Sequence, residues 1–268
     1  MKQIDSVDEL KSIQLNILLK VHQFCVENNI KYSLADGTLL GAVRHKGYIP
    51  WDDDIDICME RKDYHRFINE FPDVFKNEIA VVSMERDTQW AFPFAKAYDV
   101  RTVLKEKATN NKPQIGVNID IFPLDDVPNG EAFEDYNKRR KKMFLFFRTK
   151  ALKWREGRSL KNNLSMIAVK VLLSPFSHRK LSEFMDTYAQ KNNGKSYSLL
   201  YECCLGMILK GPFPKEAFKE TIDMPFEGHL LKVMSGYHVC LTCSYGNYMQ
   251  LPPIEKRTSH HAFKAYWK

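Results

Sequence analysis

The residues Asp54-Ile55-Asp56-Ile57-Cys58 constrain this chain more than any other segment. Acid and apolar side chains alternate with period two, so in a strand the carboxylates share one face and the isoleucines the other. Carboxylates at i and i+2 of a strand lie about 6–7 Å apart. Between isoleucines, in a strand that reads as buried, two unpartnered charges would cost several kcal/mol. A hard divalent cation removes that cost. Mg²⁺, which accepts a few carboxylates together with phosphate oxygens, suits the pattern, and Mn²⁺ shares its ligand preferences. A second alternating stretch, Gly116-Val117-Asn118-Ile119-Asp120-Ile121-Phe122, puts Asn118 and Asp120 on one face. Asp120 is therefore the best third acid. Asp52 and Asp53 read as solvated turn residues.

Upstream of the acids, 31–35 reads as a short strand, Gly37 as a turn, and 38–46 as a helix with Gly47 as its C-terminal cap. The free N–H groups of such a helix start favour a phosphate, which makes Gly37 and Thr38 candidate phosphate-binding residues. Arg44, His45 and Lys46 end the helix. They either complement its dipole or, Arg44 first, reach a diphosphate over the neighbouring metal strand. Lys96 lies in an aromatic strand beside Phe92 and Phe94, where a snorkelling lysine at the core edge is the plain alternative.

The rest of the chain supports an α/β fold of the α+β type. Ser6-Val7-Asp8-Glu9 is a capping box, and Leu10, Ile13, Ile17, Val21 and Phe24 form one helix face. A helix over 61–75 and strands at 79–83, 91–98 and 102–105 follow. Helices are expected over 132–154, 164–173 and 179–192, then short strands and a small helix near 240–247. There is no internal repeat. We divide one domain, 1–268, into a mixed-sheet core (1–130), a basic helical insert (131–195) and a C-terminal part (196–268) that completes the site.

Charge supports that division. The 268 residues carry a net charge of +7, yet residues 138–180 hold 14 Lys and Arg against the single acid Glu156. The body is thus mildly acidic. No base-reading motif accompanies the basic insert, so no nucleic-acid partner is expected. Its lysines and arginines flank an apolar run at 164–173 and Phe176, a pattern suited to an anionic membrane surface. That run is interrupted by Lys170 and falls short of the ~20 residues that span a bilayer. The polar N-terminus has no apolar leader core, so a cytoplasmic location is expected, at the inner face of the membrane if the insert docks. In that compartment the six cysteines are expected as reduced, buried thiols. A zinc site from Cys203, Cys204, Cys240 and Cys243 is the less favoured reading.

The run Gly37-Thr38-Leu39-Leu40-Gly41-Ala42-Val43-Arg44-His45, continued by Ile49-Pro50-Trp51-Asp52-Asp53-Asp54-Ile55-Asp56-Ile57, resembles the LicD family, which includes the fukutin-related proteins and falls in the nucleotidyltransferase superfamily. The spacing from the Gly-Thr turn to Asp-x-Asp is longer than is common in that superfamily. Three further segments agree: 96–102, 119–125, and 245–253 with His260-His261 beyond. The resemblance implies a nucleotidyltransferase-like mixed sheet and a transferase that moves a phospho-alcohol from a CDP-activated donor to a sugar hydroxyl, releasing CMP. The family's best-known donor is CDP-choline, with phosphocholine placed on teichoic acid or lipopolysaccharide. It implies Asp54, Asp56 and Asp120 as catalytic, metal-binding acids and Gly37 and Thr38 as a phosphate turn. It also raises Lys96 as a phosphate contact and His260 as an active-site contributor. The acceptor would be a glycan or lipid-linked glycan. The same three acids could instead serve transfer of NMP to a small molecule or RNA, and a non-catalytic nucleotide-binding protein is the alternative outside enzymes.

Overall fold

The computed structural model of the chain describes residues 1–71, 75, 77–106, 113–151, 159–204, 211–258 and 263–268. In chain order its first half contains β1 (Lys2–Ile4), α1 (Val7–Glu27), β2 (Ser33–Leu34), α2 (Asp36–His45), β3 (Asp56–Glu60), α3 (Arg61–Glu70), β4 (Ile79–Val82), β5 (Ala95–Asp99) and β6 (Thr102–Glu106). The second half contains β7 (Asn118–Val127), α4 (Gly130–Ala151), α5 (Leu160–Leu172), α6 (His178–Gln190), β8 (Leu199–Tyr201), β9 (Phe213–Pro214), β10 (Thr221–Phe226), β11 (His229–Met234), α7 (Tyr237–Tyr245) and β12 (Phe263–Trp267). The expected mixed α/β class is the observed one.

The central sheet runs β2-β3-β7-β5-β4, and β8 and β9 extend it from the far end of β7. Among the described strands of this sheet only β3 and β7 pair in parallel; the other neighbours are antiparallel. Helix α1 packs on this sheet through the predicted stripe, widened by Gln14, Leu18 and Cys25. Ser6 caps it, with Oγ accepting from the Glu9 N–H at 3.3 Å. Pro123 sits inside β7, where a proline normally removes a ladder bond. Here the Asp120 N–H bonds Ile55 across the β3 side, so Pro123 faces the other side, beyond Ile121, the last residue paired with β5. Its missing N–H disrupts nothing.

Two smaller sheets complete the body. A β10–β11 hairpin packs beside β2, and β12 is clasped between β1 and β6, joining the two ends of the chain. The insert helices α4, α5 and α6 form a satellite with its own small core around Phe147, Leu173, Leu181 and Met185. Some boundaries differ from expectation. The strand expected over 91–98 begins only at Ala95, because the Trp90 indole N–H turns back to the Phe94 carbonyl at 2.8 Å. Lys46, not Gly47, takes the left-handed cap of α2 at φ 60°. Gly47 is needed for close approach instead, since a Cβ there would lie 2.1 Å from Glu227 Oε1.

Candidate functional site

The strand register builds the site. In the parallel ladder Asp56 lies opposite Asp120, and in the antiparallel ladder on the other edge of β7 Asp120 lies opposite Lys96. Cross-strand partners share a sheet face. Asp56, Asp120 and Lys96 therefore stand abreast on adjacent strands, with Asn118 two residues along the same face. Lys96 Nζ bonds Asp120 Oδ1 at 2.5 Å and Asn118 Oδ1 at 3.0 Å. Asp54 precedes β3 rather than lying in it and is half-buried. The loop carrying it is held by buried Gln14, whose Nε2 donates to the carbonyls of Asp53 at 2.9 Å and Asn118 at 3.4 Å. One α1 side chain thus ties together the two acid-bearing segments.

Helix α2 fixes the start of the same strand. It begins at Asp36, two residues earlier than expected, so Gly37 and Thr38 lie in its first turn. The Thr38 hydroxyl faces the sheet and accepts the Asp56 N–H at 2.8 Å, while the Ala35 N–H donates to the Asp56 carbonyl at 2.9 Å. Thr38 thereby sets the backbone that carries a site acid. A Cβ on Gly37 would come within 2.5 Å of Asp52 Oδ2, so the Asp52 carboxylate would have to move to admit one. Asp52 is therefore packed against the start of α2 and is half-buried, unlike the solvated turn residue expected.

Two acids not expected from the sequence join the group. Asp36 is buried at φ 43°, in the left-handed region, and among the described residues neither of its carboxyl oxygens receives a hydrogen bond from an N–H donor. Its carboxyl faces that of Glu202, which follows β8 and is also buried. Burial, opposed by the contact with Glu202, pushes Asp36 up to about 6. Burial followed by the Asp36 charge pushes Glu202 well above the usual carboxylate range. Asp56 is raised as well, first by burial and then by Asp54, Asp36, Asp120 and Glu202. Burial, followed by the charges of Asp36, Asp56 and Asp52, raises the phenol of Tyr245 on α7. The cluster holds more negative charge than Lys96 neutralises, so it must take up protons or cations.

The donor set is all oxygen and fits a hard cation. Among the described residues, no three His, Cys, Asp or Glu side chains already stand in a metal-holding arrangement, and Asp120 is engaged by Lys96.

The flank of the site is basic. Arg44 donates to the carbonyls of Tyr248 at 2.9 Å and Gln250 at 3.4 Å, pinning the segment after α7. His45 meets Trp51 edge-on at 6.3 Å, and the Arg257 guanidinium lies 5.4 Å over the Trp51 ring. Burial and then Arg44 lower the His45 pKa, which keeps the ring neutral near pH 7. His260 lies outside the described residues. Of the cysteines, Cys25, Cys58, Cys203, Cys204 and Cys240 are buried and Cys243 half-buried, all as free thiols. Burial raises the first five, which favours the neutral thiol.

Glu202 had a readable signal, a lone acid inside the apolar run Leu199-Leu200-Tyr201-Glu202-Cys203-Cys204. Asp36 had a weaker one, its place directly before the Gly37 turn. Tyr245 opens the family-like segment 245–253, though nothing there points to the acids; nothing local marks Arg257.

The sequence profile of the LicD/FKTN/FKRP nucleotidyltransferase domain matches residues 29–156, which contain Asp54, Asp56, Lys96 and Asp120. Over 96% of its length the chain is 36% identical to the lipopolysaccharide cholinephosphotransferase LicD of Haemophilus influenzae, covering 97% of that protein. The chain belongs to the LicD family. Its expected standing as a transferase of that family is met. Shorter similarities reach two Rickettsia proteins without a described function: 41% identity over 88 residues in R. typhi (30% of this chain, 28% of that protein), and 52% over 54 residues in R. prowazekii (20% of each). Glu202 and Tyr245 lie beyond the LicD profile but within the span aligned to the Haemophilus protein.

Proposed function

We propose that this LicD-family transferase moves phosphocholine, or a related phospho-alcohol, from a CDP-activated donor to a sugar hydroxyl of a surface glycan such as lipopolysaccharide or a teichoic acid precursor. The observation that carries the reading is the row of Asp56, Asp120 and Lys96 across three adjacent strands, with Asp54 two residues before Asp56. The relationship to a lipopolysaccharide cholinephosphotransferase supports the substrate class.

Asp54, Asp56 and Asp120 would hold Mg²⁺, or Mn²⁺ in its place. When bound, the cation supplies neutralisation of diphosphate charge and stabilises CMP as leaving group. Lys96 adds a positive charge at the edge of the same row. Thr38 and Gln14 hold the acid-bearing backbone in place. In the transfer, the acceptor oxygen forms a bond to the phosphorus bearing choline, and the bond from that phosphorus to the CMP oxygen breaks. The acceptor proton passes to a carboxylate of the cluster.

Purified protein given CDP-choline and acceptor glycan should release CMP and label the glycan with phosphocholine, and EDTA should stop both. Asp54→Asn and Asp56→Asn should each lower turnover by at least about a thousandfold while the far-UV spectrum is unchanged. Near-normal turnover in either variant would overturn the assignment. Nucleotide, instead of phosphocholine, on the acceptor would favour nucleotidyl transfer.

A further inference from the structure

Helix α5 turns Met166, with Val169, toward the insert core, yet it carries a second apolar face that points outward. Leu160, Leu164, Ile167 and Val171 follow one another at spacings of 4, 3 and 4 and form a single apolar stripe. That stripe faces outward, with exposures of 73%, 55%, 40% and 67%, while Asn163 lies on the buried face. Leu172, Leu145 on α4, Phe176 and Phe184 extend the exposed apolar surface. Beside it opens an apolar groove of about 620 Å³ between α4 and α6, lined by Met143, Phe146, Leu173, Phe176, Phe184 and Tyr188 among others. An exposed apolar surface this continuous marks a binding face.

The rim of the groove identifies the partner. Lys142 Nζ lies 5.9 Å from the Phe146 ring centre, Lys180 5.3 Å from Phe184, and Lys191 3.8 Å from Tyr188. Three aromatic rings are each topped by an ammonium group, and Lys161 and Arg148 stand exposed nearby in sequence. Glu183, the acid at this rim, is shared between Arg179 and Lys180 and leaves the surface positive. Apolar side chains with a cationic, aromatic border match the two layers of an anionic lipid interface, acyl chains below and phosphate headgroups above. No helix of the described residues is long and apolar enough to cross a membrane, so the contact is with the surface.

We infer that the α5 stripe and the groove beside it dock this protein on an anionic lipid bilayer. The inference does not rest on the transfer reaction, which CMP release in the absence of lipid tests separately. The test is co-sedimentation of the full chain with phosphatidylcholine vesicles and with equimolar phosphatidylcholine–phosphatidylglycerol vesicles. The wild type should bind the anionic vesicles and leave the neutral ones largely free. The Leu160→Ser/Leu164→Ser/Val171→Ser variant, altered only at exposed positions, should keep its far-UV spectrum and bind about tenfold or more weakly. Lys142→Gln, Lys180→Gln and Lys191→Gln should each weaken binding about fivefold at low salt. Equally poor binding to both vesicles, or unchanged binding by the triple variant, would overturn the inference. So would a wild-type dimer that the triple variant dissolves, since the stripe would then be an interface between copies of this chain.

Discussion

Asp36 carries the least comfortable side chain in the site. Its backbone is left-handed, which aspartate tolerates better than most residues, and its buried carboxyl faces that of Glu202. Asp36 moves from an ordinary 3.8 to about 6, chiefly by burial. A carboxyl raised in the folded state binds its proton more tightly there than in the unfolded chain. The proton-bound fold is favoured at low pH, and that advantage is lost as pH rises from about 4 through about 6. Glu202, raised in the same direction, continues the loss at higher pH. In urea unfolding without divalent cations, wild-type stability should fall across this range. Asp36→Asn keeps the shape, suits the left-handed backbone and carries no charge. It should flatten the fall and be more stable at neutral pH by about 1–3 kcal/mol. Parallel pH curves for the two proteins would refute this account of the pair. The residue scale also marks the limit of reading this site from the chain. Asp54, Asp56 and Asp120 stand out because alternation is local. The importance of Asp36 comes from Glu202, 166 positions away, and only folding brings them together.

At the scale of elements, the same distinction separates what could be read from what could not. Helix α1 was legible because its cap and stripe lie within one continuous segment, and β3 and β7 because two faces of opposite character impose period two. Strands β1 and β12 were not, since each owes its existence to a partner from the other end of the chain. Nor was the far half of β7, where β3 pairs as far as Leu124 and β8 takes over as neighbour at Asp125–Val127. The insert is joined to the core by a contact of this non-local kind. Arg61, at the start of α3, makes a two-point ion pair with Asp125 on β7 at 2.6 and 2.8 Å and reaches Asp186 on α6 at 2.8 Å. The group is almost wholly buried, so its net contribution to stability is small, but removing the cation strands two acids in the interior. Arg61→Ala should cost about 3–5 kcal/mol in urea unfolding. Arg61→Lys should recover only part, because an ammonium cannot fork across the Asp125 carboxylate. A cost under about 1 kcal/mol would show that water reaches Asp125 and Asp186 once the guanidinium is gone.

The whole molecule resolves its net charge of +7 into an acidic body around the carboxylate cluster and a cationic, apolar-faced insert. It also depends on a closure that no single segment reveals. Strand β12 pairs with β6 from Phe263–Glu106 to Trp267–Thr102 and with β1 from Ile4–Ala265 to Lys2–Trp267. The Trp267 indole donates to Glu9 Oε1 at 2.8 Å, fastening the closing strand to the first turn of α1. Because α1 carries Gln14, which holds the Asp53 loop and the start of β7, this sheet lies one helix away from the site acids. Deleting residues 263–268 removes the middle strand of three and leaves two unpaired edges, a change that promotes self-association as well as unfolding. At about 0.5–1.5 kcal/mol per lost ladder bond, the shortened chain should be less stable by several kcal/mol. Trp267→Phe, which keeps the ladder and loses only the indole bond, should cost about 1 kcal/mol. If the closure holds the site through α1, CMP release by the shortened chain should fall at temperatures where its far-UV spectrum still shows a fold. Full activity up to the point of global unfolding would show that the closing sheet serves stability alone.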